Sequence, residues 1–285
     1  MSIREGELTA GYLTGDLLYV ETRGVRLSAI FIHDLWENSR ERVPLPEGYA
    51  DSPSWSPDGT RFAFALTGED GASHIWVVND DGSSPQQITR GDVVDNYPRW
   101  SPDGRHLVFS SIRDGEFNWR LFRVAIDGGV PEAIGPQEGH NIFPDWLPDG
   151  RFVVFSHRAE DTYDVRLLDL EEGTHRELFS GEAAAAQDMY TRAAPDGRSI
   201  LFATNRDDAT WQLWVFDLVT NELRRIIGSD SMDEYPAYSP DQEFVAFSTG
   251  HLAIYRADGQ EFPDSQLRWA VTQNLAWSPD WRESR

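Results

Sequence analysis

Trp100-Ser101-Pro102-Asp103-Gly104-Arg105-His106-Leu107-Val108-Phe109 joins an aromatic residue, a turn and an alternating run, and this arrangement returns along the chain. Pro-Asp-Gly starts at Pro57, Pro102, Pro148 and Pro195, with degenerate copies at Pro240-Asp241-Gln242 and Pro279-Asp280-Trp281. The successive prolines are 45, 46, 47, 45 and 39 residues apart. Two residues before them stand Trp55, Trp100, Trp146, Ala193, Tyr238 and Trp277. Seven residues after the first five come Phe64, Phe109, Phe155, Phe202 and Phe247. A fixed period of this length is the mark of a repeat architecture.

Each unit reads as four short strands. In the unit around Pro102, Pro98 to Ser101 is extended and ends in a turn whose glycine is free to take positive φ. His106 to Ser110 alternates, Asn118 to Val124 is a third strand, and Asp127-Gly128-Gly129 signals a tight hairpin. Pro131 to Ile134 forms a short outer strand, where an edge tolerates proline. Four-stranded units of this size form propeller blades, whose faces are buried by stacking around an axis. The Trp and Phe positions are therefore expected between blades.

The two ends complement one another. The first 45 residues supply Leu17 to Val20, Ala29 to Ile32 and Arg42 to Leu45, which fit strands two to four. Asn274 to Asp280 reads as an innermost strand with little chain after it. The expectation is one all-β domain over 1–285, a six-bladed β-propeller of four-stranded antiparallel blades. The C-terminal strand completes the N-terminal blade. The blades fall at about 8–45 with 273–281, then 52–89, 97–135, 143–179, 190–228 and 235–272.

The 285 residues carry a net charge of −23, and all 25 basic residues are arginine. That field repels nucleic acid and favours cationic partners. The absence of cysteine excludes disulfides and thiolate chemistry. No run is long and apolar enough to span a bilayer. The charged start, Met1 to Glu7, lacks a signal-peptide core, so a cytoplasmic protein is expected, or a periplasmic or extracellular one if a leader has been removed.

The runs Pro53 to Gly59 and Trp100 to Phe109 resemble the PD40 repeat of TolB-like propellers, also found in prolyl-oligopeptidase-like peptidases and oligogalacturonate lyases. The resemblance covers nearly the whole chain and implies the fold, not the function. The chain leaves no room for the α/β domain preceding the TolB propeller. It also lacks the Gly-x-Ser-x-Gly elbow of the peptidases. Oligogalacturonate lyases hold a metal through clustered histidines, and no such spacing occurs here.

Propellers bind at a channel mouth, where the innermost strands begin. Asp51, Asp95, Asn141, Asp188, Asp233 and Glu234 recur there, and oxygen ligands in that number suit Ca2+ or another divalent cation. Turn and capping hydrogen bonds are the other use of such residues. Asn96, His140 and Gln273 stand beside them, and Arg113, Arg158 and Arg206 follow second strands. These six are candidate ligand-binding residues, although structural ion pairs with the aspartates are the favoured use of the three arginines. Tyr97, Tyr190 and Tyr235 share one repeat position and suit packing. Phe117, Trp119, Tyr163 and Trp211 suit a partner surface. Two functions follow. One is a non-enzymatic TolB-like propeller binding a protein or peptide at its acidic mouth, with or without a cation. The other is a metal-assisted lyase or hydrolase acting on a carbohydrate or small molecule in the channel.

Overall fold

The Pro-Asp-Gly turns are built as their residue types require. In the computed structural model, Asp58 accepts hydrogen bonds from the Ser56 hydroxyl at 2.7 Å and the Thr60 amide at 3.0 Å. These bonds hold its carboxyl down at about 2. Ser101–Asp103 and Ser239–Asp241 repeat the hydroxyl contact at 2.6 Å. The turn glycines lie at φ between +64° and +71°, and Gln242 takes the same conformation at +62° where the motif has lost its glycine.

The structure describes residues 13–22, 28–113, 118–179, 186–207, 210–227, 232–259, 269–272 and 275–283. They form 24 strands in four four-stranded antiparallel sheets and one eight-stranded sheet, in which a single parallel bridge, Ser73–Val94, joins two four-stranded antiparallel units, so that six such units follow one another. The innermost strands are Ala276–Arg282 (blade 1), Tyr49–Trp55 (blade 2), Val94–Trp100 (blade 3), His140–Trp146 (blade 4), Asp188–Ala193 (blade 5) and Glu234–Tyr238 (blade 6). In blades 2 to 5 these strands begin two or three residues before the expected blade starts. The outer strand of blade 1 is Ser39–Arg42, earlier than the expected 42–45.

Blade 1 takes Ala276–Arg282 from the C-terminus and its other three strands from the N-terminus, as expected. Arg282 clamps this join through Asp16 at 2.7 Å, and its guanidinium lies 3.8 Å from the Trp55 ring centroid.

Six apolar clusters occupy the six interfaces between successive blades. The last joins Phe244, Ala246 and Ile254 of blade 6 to Leu17, Tyr19 and Trp281 of blade 1, so the ring closes. Phe64, Phe109, Phe155, Phe202 and Phe247 are fully buried in these interfaces, as the repeat predicts. Each such ring contributes about 1.5–3 kcal/mol by burial.

One register differs from the sequence expectation. Trp277-Ser278-Pro279-Asp280 repeats the letters of Trp55-Ser56-Pro57-Asp58, yet it is not the turn. Trp281 pairs with Leu17, as Trp55 pairs with Phe62 and Trp100 with Leu107. Trp281 is therefore the anchor aromatic of blade 1, 43 residues after Tyr238. Thr272 accepts the Leu252 amide at 3.2 Å, as Thr89 accepts that of Ile75 at 2.9 Å.

Candidate functional site

Each innermost strand carries a bulge, which inserts a residue and re-aims side chains. The bulge residues are Ser52, Tyr97, Phe143, Tyr190, Tyr235 and Ser278, all with φ between +50° and +59°. Proline follows in five of the six: Pro53, Pro98, Pro144, Pro236 and Pro279. A left-handed conformation costs a non-glycine residue about 1–2 kcal/mol, so its return in every blade marks a feature held by the surrounding fold.

The bulge turns four aromatic rings toward one another. Ring centroids lie 4.4 Å apart for Tyr97–Phe143, 4.5 Å for Phe143–Tyr190 and 4.2 Å for Tyr190–Tyr235, with Phe143–Tyr235 at 6.2 Å. These residues come from blades 3 to 6, so their rings form an aromatic floor across the axis, near the end where the innermost strands begin. Trp119 packs on Tyr97 at 6.1 Å and Trp211 on Tyr190 at 5.9 Å, widening it. The three tyrosines pack, as expected, but across the channel, Tyr97 on Phe143 and Tyr190 on Tyr235. Phe117 lies outside the described residues.

The expected acidic ring is divided among separate local contacts. Asp95 is fully buried, bound by both oxygens to Arg113 at 2.9 Å and by the Ser111 hydroxyl at 2.5 Å. Asp188 repeats this with Arg206, also at 2.9 Å to both oxygens. Burial pushes both carboxyls up, and the arginines oppose that shift. The guanidiniums stack on blade aromatics, Arg113 at 4.8 Å from Phe122 and Arg206 at 5.2 Å from Trp214. These are structural ion pairs. In blade 4 asparagine and histidine replace the pair, with Asn141 Oδ1 and His157 Nδ1 2.7 Å apart and the Asn141 amide donating to Pro136 and Glu138 carbonyls.

Arg158 does not match Arg113 and Arg206. It stands one residue earlier, within its strand opposite His140, and lies 5.2 Å from the Tyr163 ring. His140 is half-buried, and its pKa is lowered by burial and then by Arg158. Asp51 accepts the Ser52 amide at 2.6 Å and the Trp277 indole at 2.9 Å, and Asn96 accepts the Tyr97 amide at 2.9 Å. Both cap the bulge. Asp233 is buried, whereas Glu234 is half-buried and pushed upward by burial. Gln273 lies outside the described residues. Among the described residues, no three His, Asp or Glu side chains gather as ligands of one ion.

A second set of charges was overlooked in the sequence. Arg99, Asp145, Arg192 and Asp280 occupy the same position of blades 3, 4, 5 and 1, two residues beyond the bulge residue. Asp145 accepts the Trp146 amide at 3.0 Å and the Ala193 amide of the next blade at 2.9 Å. Asp280 likewise accepts the Trp55 amide at 2.6 Å. Burial holds Asp145 up at about 7 and also raises Asp280. The signal was present as a charged residue at one position of the repeat, Arg99, Asp145 and Arg192, at 46- and 47-residue spacing.

A family profile described as the TolB beta propeller domain matches residues 15–209. The Tol-Pal system protein TolB of Alcanivorax borkumensis is 34% identical over 64 residues, covering 22% of this chain and 15% of that protein. Among solved structures, TolB from Acinetobacter baumannii superposes with a TM-score of 0.80 at 19% identity, over 94% of this chain and 66% of that one. A candidate TolB from Agrobacterium tumefaciens superposes with a TM-score of 0.73 at 20% identity, over 92% of this chain and 100% of that one. The chain thus spans only part of the length of the Alcanivorax and Acinetobacter relatives. At those identities the superpositions speak for the fold alone. No helix is long and apolar enough to cross a membrane among the described residues. With its repeats, closed ring and matching profile, the chain belongs to the TolB β-propeller (PD40) family.

Proposed function

We propose that the protein is a non-enzymatic TolB-like propeller that docks a protein or peptide over the aromatic floor of its mouth. The observation that carries this reading is the floor itself. Four rings in a contacting series, Tyr97–Phe143–Tyr190–Tyr235, offer a broad surface of the kind that anchors protein partners. The rim is mixed, with Trp119, Trp211 and Trp277 beside Asp51, Asn96 and Glu234. The net charge of −23 favours a cationic segment on the partner.

The reading needs no metal, since Asp51, Asp95, Asn141 and Asp188 are already engaged by protein donors. Its relatives are named for the Tol-Pal system, so the Pal protein of the same organism is the first candidate partner. The same similarity fits the periplasmic alternative, a chain released from a leader, better than the cytoplasm.

Calorimetric titration of Pal into the wild type and into Glu234→Arg and Trp119→Ala tests this. The expected outcome is micromolar or tighter binding that each rim substitution weakens at least tenfold. Binding that neither substitution changes would place the partner elsewhere.

A further inference from the structure

The channel beneath the aromatic floor contains a feature that the docking reading does not use. Arg99 and Arg192 are each 8% exposed. A guanidinium does not shed its proton in a protein, so a buried one requires compensation. Elsewhere in this ring that compensation is a carboxylate: Asp95 for Arg113, Asp188 for Arg206 and Asp16 for Arg282. Arg99 and Arg192 are held differently. Arg99 donates to the carbonyls of Pro98 at 2.9 Å and Pro53 at 3.4 Å. Arg192 donates to those of Pro236 at 3.0 Å and Pro279 at 3.4 Å. All four prolines belong to the bulges. Arg99 Nε is buried with no acceptor at all.

The neighbouring acids Asp145 and Asp280 favour the Arg99 charge from a distance but accept no hydrogen bond from it. Asp145 and Asp280 turn oxygens to the amides of Trp146, Ala193 and Trp55, at the blade interfaces. Burial pushes both carboxyls up, which lessens the negative charge they bring to the channel. Both arginines line a small space of ≈ 10 Å³, together with Tyr97, Phe143, Tyr190, Tyr235 and Ser278. That is room for one water or one ion of similar size.

We propose that this cavity is a buried site for a monovalent anion of chloride size, held between Arg99 and Arg192. A water molecule would satisfy Arg99 Nε but would bring no charge of its own to set against the two guanidiniums. A halide accepts from both guanidiniums and offsets two desolvated charges at contact distance, where Coulomb attraction in a water-poor site is strongest. The anion would then tie blades 3 and 5 together across the axis, beneath the docking floor.

The test is a thermal melt of protein prepared in sodium gluconate, repeated in sodium chloride and sodium bromide at the same ionic strength. The expected result is a melting temperature that rises saturably with chloride or bromide above the gluconate value. The rise should be absent in Arg99→Met and in Arg192→Met. Equal melting of the wild type in the three salts would overturn the proposal and leave water in the cavity. Should the variants fail to fold, crystals of the wild type soaked in bromide decide it. An anomalous peak between the two guanidiniums supports the site, and its absence refutes it.

Discussion

Replacing Asp145 by Asn isolates the electrostatics of the channel. Asp145 sits at about 7 against an ordinary 3.8, with burial as the main cause and Arg99 opposing it. At roughly 1.4 kcal/mol per tenfold change in proton affinity, that places a penalty on the order of 4 kcal/mol on the charged form. Because the folded value is raised, the folded state keeps a proton that the unfolded state releases between about pH 4 and 7. Stability from this group is therefore greatest below pH 4 and declines as pH rises through 7. At pH 5.5 about half of the penalty has accumulated, and at pH 8.5 all of it, a difference of about 2 kcal/mol. The asparagine carries no such penalty, but it offers one acceptor oxygen to two amides and leaves one unsatisfied, at about 1–3 kcal/mol. Urea denaturation of both proteins at pH 5.5 and 8.5 measures the difference, and both values lie above the isoelectric point of about 4.5. The variant should gain about 2 kcal/mol relative to the wild type between the two. A stability gap that is the same at both would show that Asp145 does not titrate as its burial requires.

Further outcomes follow from named contacts. Arg206→Met strands the buried Asp188 carboxylate and should destabilise by about 3–5 kcal/mol in urea denaturation. Gln242→Gly relieves a left-handed glutamine and should raise stability by about 1 kcal/mol, read from the urea midpoint. Removing residues 276–285 deletes the innermost strand of blade 1 and exposes Leu17 and Tyr19, so cooperative thermal unfolding should be lost. EDTA should leave the melting temperature unchanged, since the candidate metal ligands are engaged by arginine, indole and amide donors; a drop restored by Ca2+ would return the cation to the mouth.

The repeat was legible because its chemistry is local. Pro-Asp-Gly makes a turn through its own side chain and glycine, and the phenylalanine seven residues on is buried whatever the partner blade. Closure was legible too, because an innermost strand without followers and a blade without an innermost strand need each other. The register of the last copy was not, since Trp277-Ser278-Pro279-Asp280 spells the turn motif while forming the bulge. The physical discriminator was present: Trp281 stands where the turn demands positive φ, and a glycine does not. The step of 39 residues in place of about 45 pointed the same way.

The mouth was read less well for a related reason. Asp95, Asn141 and Asp188 stand at matching positions of their innermost strands, but a one-dimensional reading cannot say whether acids at one level face each other or face their own blades. The answer lay partly in the arginine offsets. Arg113 and Arg206 both stand 18 residues after their aspartates, and Arg158 breaks that spacing. The aromatic floor depends on a backbone conformation that tyrosine and phenylalanine rarely adopt, so propensity gave no warning of it. The recurring proline after the bulge was the available clue.

The central claim is that the mouth over the aromatic floor is where this propeller meets its partner. A photo-crosslinking residue placed at Asn96 or Glu234 on the rim, and separately at Val130 on the outer hairpin of blade 3, tests it in cells of the source organism. Val130 is 93% exposed, so accessibility alone would favour it. The account predicts one specific crosslinked protein from both rim positions and none shared with Val130. A partner captured from Val130 and not from the rim would contradict it.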